Sequence, residues 1–337
     1  SFLFGMSSMS FAEIIMNPGS NQASLSWSSE EANQLLNGDV SAAAYSENEP
    51  SPQGSTKVST SIRSANGAAL SAPAKTVQIF DTSGYSHQPS VNARAALVMD
   101  GQTGEVLYSK NSNTAFPIAS ITKLMTAVVI ADARLNMSEN ITLQQIDFAG
   151  AGGKNSSSTL RAGDSMNRAE ALLFALMKSE NPAAAALART YPGGRAAFVA
   201  AMNAKAKALG MNSSRYVESS GLDPRNVSSA RDLGILVNTA AQYGLIRQFS
   251  TTPSYDFNLG YRVLKSSNTN ALVRNGGWNI NISKTGYINE AGRCVVMHTT
   301  LNNRPAVVVL LGADTSAART SDATRLMTWV TQLPKRI

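Results

Sequence analysis

The chain has 337 residues, 43% of them hydrophobic, which is enough to bury one large core or two modest ones, as in a soluble enzyme. Its one cysteine, Cys294, excludes an intramolecular disulfide framework and a cysteine-rich zinc site, and His87 and His298 are too few for a histidine metal cluster; catalysis is expected to need no metal and no cofactor. The net charge of +7 comes from scattered Lys and Arg with no basic, aromatic-interleaved stripe, which argues against nucleic acid as a partner.

In chain order, residues 1–12 mix apolar and small side chains and end in Ser10-Phe11-Ala12, a small-x-small pattern. They read as the tail of a secretory signal, so the mature chain would begin near Glu13 and work in the periplasm. Residues 13–89 are rich in Ser, Ala, Asn, Gln, Gly and Pro, and hold too few large apolar side chains to offset the entropy of ordering. That stretch reads as a flexible leader, with Val77-Gln78-Ile79-Phe80 its one strand-like island.

A folded body is expected over 90–333. Alternation through 95–100 and 105–108 around Gly101-Gln102-Thr103-Gly104 signals a hairpin, and the apolar run 124–130 signals a helix. A short strand at 141–143 and a glycine-serine loop at 150–158 come next. Helices are expected over 168–178, 182–189, 194–209 and 230–243, the last two stopped by Gly210 and Gly244. Strand patterns at 255–259, 261–265, 280–284, 293–301 and 305–312 precede a final helix at 320–331. Strands at both ends with helices between imply an α+β protein whose N-terminal hairpin joins the C-terminal sheet, with a site between the sheet and a mainly helical lobe.

Three short motifs carry chemistry. Ser120-Ile121-Thr122-Lys123 opens the first helix, and residues at i and i+3 share a face, so the Lys123 amine can reach the Ser120 hydroxyl and activate it. Ser179-Glu180-Asn181 falls at the break between two helices, which suits a loop presenting Ser179 and Asn181 to a cleft. Lys284-Thr285-Gly286 lies on a strand, where a glycine leaves room for a ligand's close approach.

In that order the motifs resemble the active sites of the serine DD-peptidases, the penicillin-binding proteins, and of the related β-lactamases. The resemblance runs from about Ala93 to Trp329, includes Gly221-Leu222-Asp223 and Ser229-Ala230-Arg231-Asp232, and is nearest to the low-molecular-mass endopeptidases of the penicillin-binding protein seven type. It implies the β-lactamase/transpeptidase-like fold, an antiparallel sheet flanked by helices with a mainly helical lobe. It also implies peptidoglycan stem peptides as substrates and β-lactam antibiotics as covalent inhibitors.

Residue by residue, the resemblance makes Ser120 the nucleophile that attacks a D-alanyl carbonyl and Lys123 the group that takes its proton, although which lysine or hydroxyl is the base stays open. Ser179 would relay a proton to the leaving amine, and Asn181, Lys284, Thr285 and Gly286 would bind substrate. The backbone N–H groups of Ser120 and Tyr287 would form the oxyanion hole. Outside these roles, Glu180 reads as a solvent-facing spacer, Arg231 and Asp232 as structural, His298 as a satisfied core residue and Cys294 as a buried apolar one.

Cleavage of cross-links is favoured over trimming of terminal D-alanine, because Asp314 follows the last strand where carboxypeptidase relatives carry an arginine; Arg319, a few residues on, could substitute. A β-lactamase would need a deacylating base, for which Glu218 is the remaining candidate. A catalytically silent wall-binding protein is the alternative from another class, against which intact Ser120, Lys123 and Lys284 argue.

Overall fold

The computed structural model describes residues 88–150 and 157–334, together with the backbone of two short strands, Ile14–Met16 and Ala23–Leu25, which pair antiparallel inside the stretch read as a leader. The signal reading of residues 1–12, the island at 77–80 and most of the 150–158 loop lie outside the described residues.

Strands β1 (Ala95–Asp100) and β2 (Val106–Lys110) form the expected hairpin, in which Asp100 Oδ1 accepts the amides of Gln102 and Thr103 at 2.9 Å each. A single 3-10 turn, Ala119–Ile121, leads into α1 (Thr122–Asp132). The helical lobe then adds α2 (Arg168–Leu173), which runs on as a π-turn over Phe174–Lys178, followed by α3 (Asn181–Arg189) and α4 (Gly194–Ala208). Asn167 and Glu170 start α2 with a reciprocal capping box, as their spacing allows.

Next come α5 (Ala230–Ala240), α6 (Gly244–Thr251) and the hairpin of β3 (Ser254–Asn258) with β4 (Val263–Ser267). Here the sequence reading needs correcting. The expected helix ends at Ala240, and Gly244 opens α6 rather than closing α5, because Leu245, Ile246 and Phe249 give the new turn an apolar face to bury.

Strands β5 (Asn279–Ile288), β6 (Gly292–Leu301) and β7 (Arg304–Ala313) lead to the closing helix α7 (Ser316–Gln332). The main sheet has the order β5-β6-β7-β1-β2 and is antiparallel throughout, so the N-terminal hairpin docks beside the last strand as expected. Both faces are covered. Leu97, Met99, Val307 and Val309 pack toward α1 and α5, while Ala96, Val98, Val308 and Leu310 pack under Leu326, Met327 and Val330 of α7.

Helix α1 is buried on every side from Thr122 to Ala131, which makes it the post on which sheet and helical lobe meet. Its Leu, Ile and Val side chains each contribute about 1.5–3 kcal/mol by leaving water. Its polar residues Thr122, Lys123 and Thr126 are buried with them and must find partners inside. Those partners build the site.

Candidate active site

Ser120 lies in the 3-10 turn ahead of α1, with the Ile118 N–H donating to the Asn226 carbonyl at 3.1 Å. Its predecessor Ala119 has φ of 48°, a left-handed conformation that costs a non-glycine residue about 1–3 kcal/mol unless its surroundings impose it. Two glycines do so. A Cβ on Gly221, itself at φ 85°, would fall 1.8 Å from the Ala119 carbonyl oxygen; one on Gly286 would fall 3.0 Å from the Ile118 oxygen and 3.1 Å from the Ser120 nitrogen. The close approach that the sequence assigned to a ligand at Gly286 is made by the turn that carries Ser120.

Lys123 Nζ, fully buried, stands 2.8 Å from Ser120 Oγ, 2.6 Å from Asn181 Oδ1 and 2.7 Å from the Ser220 carbonyl oxygen. The two carbonyl oxygens can only accept. A neutral amine has two N–H bonds and one lone pair, so with both N–H bonds spent on carbonyls the lone pair is left facing the Ser120 hydroxyl. Burial draws the Lys123 pKa down to about 7, against the opposing pull of the Glu218 and Glu180 carboxylates. That combination gives a base competent near neutral pH.

Ser179 has φ of 67° at the end of the π-turn, where its own N–H and that of Glu180 both reach back to the Phe174 carbonyl. A π-turn that ends in a left-handed serine points the hydroxyl across the cleft, and Lys284 Nζ donates to Ser179 Oγ at 2.9 Å and to the Thr285 carbonyl at 2.8 Å. Burial first, then the cations of Lys123 and Arg319, hold the Lys284 pKa well below the ordinary lysine range. Asn181 Oδ1 accepts from Lys123 Nζ, so the group that Asn181 can still offer across the cleft is its donor NH₂. The structure thus groups these residues into two hydrogen-bonded sets, Ser120–Lys123–Asn181 and Ser179–Lys284.

Thr285 Oγ1 donates to Thr269 Oγ1 at 2.6 Å, and the Thr269 amide is tied to Met177 of the π-turn at 3.1 Å. Tyr287 follows Gly286 on β5, so its amide lies one residue along the strand that abuts the Ser120 nitrogen. The tyrosine ring itself is turned to solvent, under the Arg293 guanidinium at 3.5 Å.

Other expectations are revised or met. Glu180 is no spacer: it is 4% exposed, and its carboxylate accepts from the Ser158 hydroxyl and, at 2.7 Å, from the Thr159 hydroxyl. Glu218 is engaged by its own turn, taking the amides of Ser220 and Gly221 at 2.5 Å each and Asn226 Nδ2 at 3.0 Å, which ties both of its oxygens to the 218–226 loop. Asp314 lies at the end of β7, two strands from β5 and so about 9–10 Å across the sheet, with Oδ2 held by Asn92 Nδ2 at 3.0 Å. It does not face Thr285. Arg319 is buried under the sheet with Nη1 3.5 Å from the Cys294 carbonyl, close enough to act on Lys284.

Asp232 accepts from Ser213 N at 2.8 Å and Ser214 Oγ at 2.7 Å at the head of α5, and Arg231 Nε donates to Asn113 at 2.9 Å, both structural as expected. His298 is nearly buried beside Asn281, and Cys294 is fully buried. Sequence reasoning missed Asn226, whose buried amide bonds to Thr122, Val217 and Glu218 and fixes the loop that presents Ser220. A cavity of about 330 Å³ opens on the helical side of Asn181, between α4 and the 217–225 loop.

Residues 83–315 match the family model of the D-alanyl-D-alanine carboxypeptidases, peptidase family S11. The chain belongs to that family. This S11 serine peptidase is 47% identical over 254 residues to a D-alanyl-D-alanine endopeptidase of Pseudomonas aeruginosa, covering 73% of this chain and 80% of that protein. It is 45% identical over 246 residues to the D-alanyl-D-alanine endopeptidase of Escherichia coli, covering 72% and 78%. Among solved structures, a Streptomyces DD-transpeptidase superposes with a TM-score of 0.67 at 27% identity, over 74% of this chain and 100% of that one. The S11 fold is therefore the one expected from the three motifs.

Proposed function

We propose that this S11 peptidase cleaves D-alanyl cross-links between peptidoglycan stem peptides through a Ser120 acyl-enzyme, and that it does so in the periplasm after export. The observation that carries the reading is the Lys123 amine, whose remaining lone pair faces the Ser120 hydroxyl at 2.8 Å. Ser120 Oγ attacks the D-alanyl carbonyl carbon as its proton passes to Lys123. Negative charge develops on the carbonyl oxygen beside the Ser120 and Tyr287 amides, where each donor is worth about 3 kcal/mol in well-studied hydrolases. As the C–N bond breaks, the leaving nitrogen takes the proton held on Lys123, passed by way of Ser179, and Lys123 is neutral again. Water then attacks the ester carbonyl, giving its proton to Lys123, and the Ser120 oxygen leaves with that proton as the shortened stem is released.

The endopeptidase reading draws on the two endopeptidase relatives. Carboxypeptidase action on terminal D-alanine is the second reading, favoured by the match of residues 83–315 to the D-alanyl-D-alanine carboxypeptidase family model. Chromatography of digests of purified cross-linked peptidoglycan tests the proposal. Conversion of dimeric to monomeric stems is expected; dimers that persist after prolonged incubation overturn it.

A further inference from the structure

Glu180 stands between two motif residues and belongs to neither role. Its side chain is buried, its carboxylate accepts from the hydroxyls of Ser158 and Thr159, and the Thr159 amide adds a longer contact at 3.4 Å. Ser158 Oγ in turn accepts the Leu160 amide at 3.0 Å, which fixes the loop from the other side. That loop is itself clamped: buried Asp164 accepts from Arg262 Nη2 at 2.7 Å and from the Tyr261 hydroxyl at 2.5 Å, both from the tip of the β3–β4 hairpin. A chain of side chains thus runs from a surface hairpin to the segment that supplies Ser179 and Asn181.

A buried carboxylate held by neutral hydroxyls is expensive unless a cation shares the interior. Lys123 is that cation when protonated. Its proton affinity is supported by the carboxylate of Glu218, in the 217–226 loop, and then by that of Glu180, at the head of α3, while Lys284 on β5 is the second amine whose affinity depends on it. Each carboxylate stands beside one of the carbonyl groups that accept from Lys123: Glu218 shapes the turn of Ser220, and Glu180 precedes Asn181.

We propose that Glu180 is a positioning residue for acylation, anchoring the Ser179–Asn181 segment to the Ser158–Thr159 loop while setting a fixed negative charge against the Lys123 amine. The inference rests on the reading of Ser120 and Lys123 as nucleophile and base. Anchoring keeps Asn181 Oδ1 and Ser179 Oγ at their lysines. The charge keeps Lys123 from losing its proton affinity altogether, so that the proton taken from Ser120 has somewhere stable to go.

The test compares Glu180→Gln, Glu180→Asp and Thr159→Val with the parent chain, reading the pH profile of acylation by a labelled penicillin and, separately, the Lys123 titration by NMR of lysine ε-carbons. In Glu180→Gln the lost charge destabilises protonated Lys123, so its midpoint and the acid limb of the profile move to lower pH, and the rate on the plateau falls about ten- to hundredfold through lost positioning. Glu180→Asp restores the limb. Thr159→Val keeps the charge and slows the plateau without moving the limb. An unmoved Lys123 midpoint in Glu180→Gln overturns the proposal, as does a parental rate in Thr159→Val should Glu180→Gln fail to fold. The NMR midpoint needs no acylation, so a parent chain that no penicillin labels would sink the reading of Ser120 while still testing Glu180.

Discussion

The backbone of Gly286 lies against the amide of Ser120, so close that a Cβ there would stand 3.1 Å from the Ser120 nitrogen. One methyl group is enough to push the turn that carries Ser120. Gly286→Ala is expected to slow acylation about tenfold or more while the melting temperature stays near that of the parent, because the strand can yield a few tenths of an ångström. Gly221→Ala differs in kind. At φ 85° and 1.8 Å from the Ala119 oxygen it has no room to yield, and a loss of about 3 kcal/mol or more is expected in denaturant unfolding. Equal effects of the two variants on stability would contradict this account of the turn.

Acylation should follow the protonation of Lys123. Its pKa is about 7, and only the neutral amine can take the Ser120 proton, so the rate is expected to fall tenfold per pH unit below about pH 7 and to level off above it. Lys123→Ala should remove the limb with the activity, and Lys284→Ala should slow acylation without unfolding the protein. A flat profile from pH 5 to 8 would mean that another group is the base.

Much of this site was legible in the sequence because its chemistry is local. The i, i+3 spacing of Ser120 and Lys123 favours their contact, and the short Val-rich apolar runs of 293–301 and 305–312, bounded by turn residues, mark strands buried on both faces. What stayed hidden depends on distant partners. Glu180 reads as polar and exposed until Ser158 and Thr159 arrive beside it, and Gly244 reads as a helix stop until α6 finds a core to bury Phe249 in. The short pairing of Ala115–Pro117 with Val227–Ser229, which steadies the approach to Ser120, has no periodic signal in three residues.

β-Lactams are expected to acylate Ser120. Intact mass should rise by one drug molecule per chain, and Ser120→Ala should abolish the increase. An adduct that survives in Ser120→Ala would remove Ser120 from the mechanism.

Deleting residues 13–83 should leave a folded, penicillin-binding protein. The family match begins at residue 83, and the deleted stretch lacks the apolar side chains to build a core of its own. Differential scanning calorimetry of the truncated chain checks this; loss of its cooperative transition would make the N-terminal stretch integral to the fold.

The balance between cross-link cleavage and terminal trimming turns on what surrounds the leaving group. Asp314 gives its carboxylate to Asn92 two strands away from β5, so its charge does not bear on that choice, and Asp314→Asn is expected to leave both activities within about twofold of the parent. Arg319 is different. It is buried, and its charge helps depress Lys284, so it is expected to act on a carboxylate brought alongside Thr285. A terminal D-alanine carries such a carboxylate next to the scissile amide. So does a cross-linking diamino acid whose bonded amine sits on a carbon bearing its own carboxyl group. Arg319→Ala is therefore expected to slow dimer cleavage and D-alanine release together, by about tenfold or more, since an ion pair to a buried guanidinium is lost in either case. In the parent, dimers should disappear faster than pentapeptides lose D-alanine. Should pentapeptides be trimmed while dimers persist, the endopeptidase reading is wrong, and an Arg319→Ala variant that loses trimming alone would identify the chain as a carboxypeptidase.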